Sequence, residues 1–399
     1  MIHNFRATKV VGRLNFDIEL PQQQKLYCFI GENGVGKTTM LEAMAKSLLY
    51  IHAAFHKQKR ENRYSGLLLK EKINRKIKDY PLHLPASIVI NNETVKSVDS
   101  NWGITTLKEL NNEQLPIECS QPIVFIGAKE RGYLSNLQTK KFEMLGDKYD
   151  RLLQVFQKTY DSMYGNSTDN GQIAEWFIQR IAINPSFVPE AKIRMDEAIA
   201  VLEIMQQLEP KLKLVQLDKN NNKTLSLAYK DGKLLFDGMP FETLPTGFIS
   251  IIRILQEIIS AFGAWGGEKN LNETAGIVFV DEIEAHLHIK WQYRILPLLK
   301  ETFPNTTFYI TTHSSLILSN LEEKEGYKLQ QNNNHIQALP IEDINGYFVM
   351  DIIKKYFDVD STEAVKLTET QLNRQREARK ALLQLPDSIN LEEKAVDNE

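Results

Sequence analysis

Residues 25–39 read K-L-Y-C-F-I-G-E-N-G-V-G-K-T-T, a short apolar run that opens into a glycine-rich turn. Gly31, four intervening residues, then Gly36, Lys37 and Thr38 match the spacing of a phosphate-binding P-loop. Glycine suits such a turn because backbone N–H groups must close around phosphate oxygens, and a Cβ would crowd that approach. In this pattern Lys37 reaches the β- and γ-phosphates and the Thr38 hydroxyl ligates Mg²⁺. Asn33, Gly34, Val35, Gly36, Lys37, Thr38 and Thr39 are therefore the candidate nucleotide-binding run. Lys25 to Ile30 predicts a buried strand, and Leu41, Met44, Ala45, Leu48 and Leu49 recur at helical spacing behind the loop. That helix would point its positive dipole end at the anion. A nucleoside triphosphate site with Mg²⁺ is the expectation.

The whole-chain numbers exclude other classes. A length of 399 residues suffices for two or three domains' worth of mass and a large core. The net charge of −3 announces no global field for nucleic acid. Two cysteines, Cys28 and Cys119, form no disulfide framework and suit a reducing compartment. No signal peptide and no run of 18 apolar residues is evident, so the expectation is a cytoplasmic protein without a membrane partner.

A second chemical feature lies far along the chain. Ile277 to Val280 are four apolar residues followed by Asp281 and Glu282. Such a run predicts a central parallel strand buried on both faces, and its carboxyl end is where doubly wound sheets place ligands. Asp281 is the candidate for the magnesium shell, and Glu282 for orienting or deprotonating the attacking water. A solvated strand end is the plain alternative. A further strand, Thr307 to Ile310, runs into Thr311, Thr312, His313, Ser314 and Ser315. The interval holds one crossover helix, Ile289 to Phe303, and predicts a right-handed βαβ unit. His313 then lies beside the acidic strand end, with an imidazole that could donate to the γ-phosphate or the water. A structural histidine is the competing reading.

Taken together, G-E-N-G-V-G-K-T-T, V-F-V-D-E-I-E-A-H-L-H and T-T-H-S-S-L-I-L-S-N resemble the Walker A, Walker B with D-loop, and H-loop of ABC-type ATPases. The acidic block with His286 and His288 is especially similar to the OLD-like branch and its anti-phage relatives, such as PtuA of Septu and AriA of PARIS. The resemblance implies an α/β P-loop NTPase fold. It would be an ABC-type ATPase head with a mostly parallel central sheet, an antiparallel β lobe and a short helical insertion. It also implies a homodimer or higher oligomer with two ATPs sandwiched between heads, each touched by the partner's signature loop. The best candidate for that loop is Leu244 to Phe248, where Thr246 and Gly247 would face a partner's γ-phosphate ahead of an apolar helix, Ile249 to Phe262. Pro245 departs from the family pattern, and the serine-glycine-glycine-glutamine form of transporters is absent. A plain helix cap by Thr246 is the alternative.

Pro122 to Ile126 predicts another buried strand, followed by Lys129 and Arg131, which face either nucleotide, a partner or solvent. Gln121 precedes this strand, so no transporter-like glutamine loop is evident. His286 and His288, taken as helical, would diverge by about 200°, which argues against one shared metal ion. Residues 2–20 alternate as strands of the antiparallel lobe, and 213–243 predict a meander with turns at Asn220–Asn222 and Asp231-Gly232. The basic stretch 51–85 offers a possible nucleic-acid contact or a solvated face. The expected organisation is residues 1–138 and 213–350 as two halves of the head, 139–212 as the helical insertion, and 351–399 as a helical extension with an acidic tail.

Three function classes compete. The first is an ATP-hydrolysing switch that controls a separate effector nuclease of HNH or TOPRIM type, as the resemblance to defence ATPases implies. The second is a DNA-repair or clamp-type ATPase, for which long heptad arms are missing, or a scaffold that binds nucleotide with little turnover. The third, a transport subunit, lacks its signature and glutamine loop. About fifty residues follow the last core element, too few for an appended TOPRIM domain.

Overall fold

The computed structural model describes residues 1–22, 24–52, 81–95, 104–106, 119–128, 131, 146, 148–164, 172–182, 190–221, 223–230, 233–266, 271–342 and 356. Most of the basic stretch, and all of the expected extension and tail except residue 356, lie outside these residues.

The chain begins with β1 (Asn4–Val10), β2 (Leu14–Glu19) and β3 (Leu26–Ile30), followed by helix α1 (Lys37–Tyr50). Short strands β4 (Pro81–His83), β5 (Ser87–Ile90), β6 (Glu93–Val95) and β7 (Ile104–Thr106) precede β8 (Ile123–Ile126). Three helices come next, α2 (Lys148–Tyr164), α3 (Gln172–Ile181) and α4 (Glu190–Leu208). Strands β9 (Val215–Leu217), β10 (Lys223–Leu225), β11 (Leu227–Lys230), β12 (Lys233–Phe236) and β13 (Met239–Pro240) lead to α5 (Thr246–Gly266). The series closes with β14 (Ile277–Val280), α6 (Ile289–Thr302), β15 (Thr307–Thr311), α7 (Ser315–Leu318), β16 (Gly326–Asn332) and β17 (His335–Pro340).

Ten of these strands form one sheet in the order β6-β5-β1-β2-β17-β16-β3-β15-β14-β8. Its core is parallel: β16, β3, β15, β14 and β8 all run the same way. The β1, β2, β5 and β6 end is antiparallel. Strands β3, β8, β14 and β15 are buried at every position, as continuous apolar runs demand when both faces are covered. The fold is thus that of a P-loop NTPase with a mostly parallel sheet and an antiparallel lobe. Aromatic rings tie the parallel core crosswise. Phe125, Phe279, Tyr309, Tyr27 and Tyr327 follow one another across five strands, with neighbouring centroids 5.1 to 6.4 Å apart.

The helices α2, α3 and α4 pack around α5. Glu197 of α4 is fully buried and accepts from Arg180 Nε at 2.7 Å and from Arg151. Trp176 Nε1 donates to Ser260 Oγ of α5 at 2.7 Å. By length and composition α5 could cross a membrane over Thr246–Trp265, yet 89% of that window is buried inside the fold. Its apolar surface is spent on the core.

Two expectations need correction. The apolar helix begins at Thr246, three residues before Ile249, so Thr246 is its first residue and not its cap. Residues 213–243 form two small antiparallel sheets, β9 with β10 and β11 with β12 and β13, in place of one meander.

Candidate functional site

The site is assembled at the carboxyl ends of adjacent parallel strands. The chain leaves β3, turns through Gly31–Gly36 and enters α1 at Lys37. Gly36 caps the helix at φ 100°, a left-handed conformation that glycine adopts freely. A Cβ there would also sit 3.1 Å from Ile336 Cδ1, so the loop is packed on the β lobe from behind. Met40, Leu41, Met44, Ala45, Leu48 and Leu49 are buried, which anchors α1 and aims its amino terminus into the loop.

Lys37 is buried, and its Nζ donates to the carbonyl oxygens of Gly31 at 2.8 Å and Glu32 at 3.0 Å. Burial lowers its pKa from 10.5, while the carboxylates of Glu282, Asp281 and Glu284 act in the opposite direction. Thr38 Oγ1 donates to both oxygens of Asp281, at 3.0 and 2.9 Å, across 243 residues of chain. Sheet order produces this contact: β14 is separated from β3 only by β15. A hydroxyl and a carboxylate converging beside a phosphate-type loop are oxygen donors of the kind that could hold Mg²⁺. Among the described residues no three His, Cys, Asp or Glu side chains are grouped to cage a metal ion. Mg²⁺ needs no such cage, because substrate phosphates and waters supply most of its ligands.

After β14 the chain turns through residues 281–286. Glu282 adopts φ 45°, and its N–H donates to Thr311 Oγ1 at 2.8 Å. The same hydroxyl donates to Asp281 Oδ1 at 2.6 Å. Glu284 accepts from Thr312 Oγ1 at 2.6 Å and from the backbone N–H of His313. The carboxylate of Glu284 thereby pins the segment that carries His313. Ser314 Oγ donates to Gln292 Oε1 at 2.7 Å and accepts from Leu316 N and Ile317 N, capping α7.

The structure therefore brings Lys37, Thr38, Asp281, Glu282 and His313 to one strand-end cluster, together with Thr311, Thr312, Glu284 and Arg131. The last four had weak sequence signals. Thr311 and Thr312 are only a hydroxyl pair after an apolar strand, and Glu284 is one more acid in an acidic block. Arg131 is buried, not solvated, and its Nη2 donates to the Asp281 carbonyl at 2.7 Å and to the Glu282 carbonyl.

Thr246 and Gly247 stand at the head of α5, Thr246 exposed and Gly247 buried. A Cβ on Gly247 would lie 2.7 Å from the His286 carbonyl, so this helix start packs on the turn after β14 in the same chain. His286 and His288 are not on a helix. His286 sits in the turn at φ 67°, and His288 precedes α6, where its Nδ1 accepts from Lys290 N at 3.3 Å. The argument from helical divergence therefore does not apply to them.

Comparison with known proteins follows the same lines. Residues 259–319, which include the acidic strand end and His313, match a family described as "AAA domain, putative AbiEii toxin, Type IV TA system". The chain is 24% identical to "Retron Vc95 probable ATPase" of Vibrio cholerae over 74% of this chain and 67% of that protein. It is 22% identical to "Septu protein PtuA" of Bacillus thuringiensis over 92% of this chain and 88% of that protein. Among solved structures it is similar to an SMC head bound to the C-winged helix domain of ScpA. That likeness covers 86% of this chain and 98% of the other, at 15% identity and a TM-score of 0.42, too low to carry an argument. With its mostly parallel sheet, its P-loop and Thr38 joined to Asp281 at the acidic strand end, the chain has the fold and motif set of a P-loop NTPase.

Proposed function

We propose that the chain binds ATP with Mg²⁺ at this cluster, hydrolyses it, and uses the cycle to control a separate effector nuclease in a bacterial anti-phage system. The observation that carries the catalytic half is the contact of Thr38 Oγ1 with Asp281, which joins the two halves of the nucleotide motif in one place. Lys37 would bind the β- and γ-phosphates, and Asn33 to Thr39 would wrap the chain around them. Thr38 and Asp281 would hold Mg²⁺, which would supply positive charge against the charge developing on the phosphate. Glu282 would orient or deprotonate the water, and His313 would donate toward the γ-phosphate. Thr246 and Gly247 would serve the nucleotide of a second copy in a dimer or higher oligomer.

The defence half is supported by the relatives, a retron ATPase and the Septu protein PtuA. An effector of HNH or TOPRIM type would act in trans. The test is phosphate release by the full chain, then co-purification with the product of the neighbouring gene and a plasmid-cleavage assay on the complex. ATP-dependent control of cleavage by the partner is expected. Cleavage by the isolated chain at the same rate, or a wild-type chain with no turnover, would overturn the reading. The second outcome would leave a nucleotide-binding scaffold.

A further inference from the structure

The backbone that carries Glu282 is gripped from both sides. On one side Thr311 Oγ1 of β15 takes the Glu282 N–H at 2.8 Å. On the other, Arg131, in the turn after β8, donates from Nη2 to the carbonyls of both Asp281 and Glu282. Between these two holds Glu282 sits at φ 45°, a conformation that a residue with a Cβ keeps only when its surroundings impose it. The peptide planes on either side of its Cα, and hence the direction of its Cβ, are set by strands β8 and β15 flanking β14.

Arg131 is an odd choice if its task is only to stabilise the fold. It is 3% exposed, and its Nε and Nη1 are buried without a hydrogen-bond partner among the described residues. A buried guanidinium with idle donors is poorer for stability than an apolar side chain of similar volume. Burial lowers its pKa to about 10, opposed by Asp281, Glu284 and Glu282, so it is a cation at neutral pH. Its charge is therefore also felt by the acidic groups of the site, and its Nη2 alone donates to two successive carbonyls.

We propose that Arg131 is a positioning residue for hydrolysis. It holds the Asp281–Glu282 peptide so that the water-directing carboxylate and the metal-directing carboxylate keep a fixed relation to the P-loop. The inference rests on the ATPase reading above and names a residue that this reading does not use. Lysine retains the charge but ends one bond short of Nη2 and lacks the rigid guanidinium plane, and methionine fills similar space with neither charge nor donor.

The test uses the full-length chain with Arg131→Lys and Arg131→Met. Melting temperature, affinity for a fluorescent ATP analogue, steady-state turnover and hydrogen exchange of the peptide covering 277–288 are measured for each. Both variants should keep the wild-type melting temperature and nucleotide affinity, while kcat falls by roughly 10²-fold, the cost of misplacing a reacting group by about 1 Å. Exchange in 277–288 should rise. Wild-type kcat in Arg131→Lys, or a fall in kcat matched by an equal loss of affinity, would overturn the inference. If Arg131→Met does not fold, the residue is structural to that extent and Arg131→Lys alone decides. A wild-type chain without turnover marks failure of the ATPase reading instead; unchanged exchange in both variants would then overturn the positioning role independently.

Discussion

The Thr311 hydroxyl donates to Asp281 Oδ1 at 2.6 Å while accepting the Glu282 N–H at 2.8 Å, so one side chain on β15 orders both acids at the end of β14. Thr311→Val keeps the shape and strand preference of the residue and removes both bonds. The half-buried Glu282 N–H is left without its partner, at a cost of about 1 kcal/mol in stability by chemical denaturation. Thr311→Ser should recover most of that loss. A valine variant as stable as wild type would show that water replaces the hydroxyl.

Lys37→Ala is expected to weaken ATP binding by roughly tenfold to a hundredfold in a calorimetric titration, as loss of charge-assisted bonds worth about 1.5–3 kcal/mol requires. The fold should tolerate the change, because the amine is held at a desolvation cost that alanine removes. Unchanged affinity would remove the P-loop lysine from the phosphate site.

Glu282→Gln should bind ATP normally and hydrolyse it roughly 10² to 10⁴-fold more slowly, the usual contribution of a positioned acid–base group. The amide preserves the size of the side chain and all backbone bonds of the turn. Wild-type phosphate release in this variant would move the water-directing role to another residue.

Thr246 and Gly247 separate packing from nucleotide contact. Gly247→Ala places a Cβ 2.7 Å from the His286 carbonyl and 3.1 Å from the Trp291 ring, and should cost about 1–3 kcal/mol in stability as the turn and helix are pushed apart. Thr246→Ala is exposed and should change stability by less than about 0.5 kcal/mol. If Thr246 serves a partner's nucleotide, turnover should still fall and become less dependent on protein concentration. Full activity in Thr246→Ala would end its assignment as a signature residue.

The turn also carries a pH dependence. Partial burial and the charge of Arg131 lower the pKa of His286 from 6.5. The unfolded chain takes up this proton near 6.5 while the folded chain resists it, so stability declines as pH falls through 6.5 toward the folded value. His286→Asn, which tolerates the left-handed φ of 67°, should flatten that acid limb of melting temperature against pH without altering the neutral value. Identical limbs in the two proteins would show that His286 keeps its ordinary pKa.

How much of this could be read from the residues depends on how local each feature is. The loop from Gly31 to Thr38 is legible because phosphate binding imposes residue types at fixed spacing within one turn. The runs Leu26–Ile30, Ile123–Ile126, Ile277–Val280 and Thr307–Ile310 are legible because a strand buried on both faces must be apolar throughout. The right-handed crossover then fixes Asp281 near His313. Helix boundaries are less well marked: α5 begins at Thr246, ahead of the apolar run from Ile249, and His286 lies in a turn and not on a helix.

The bonding inside the site was decided only by tertiary structure. Val280 pairs with Ile310 of β15 and with Ile126 of β8, and this register delivers Thr311 to one side of the acidic turn and the segment bearing Arg131 to the other. No periodicity records it, because the partners are 29 to 151 residues apart in the chain. The sequence by itself determined which chemistry is present, since a P-loop and its acids are specified by residue type and local spacing. Which hydroxyl, carboxylate and guanidinium orient those acids was settled by strand order and register, because side chains from distant segments meet only when the sheet closes around them.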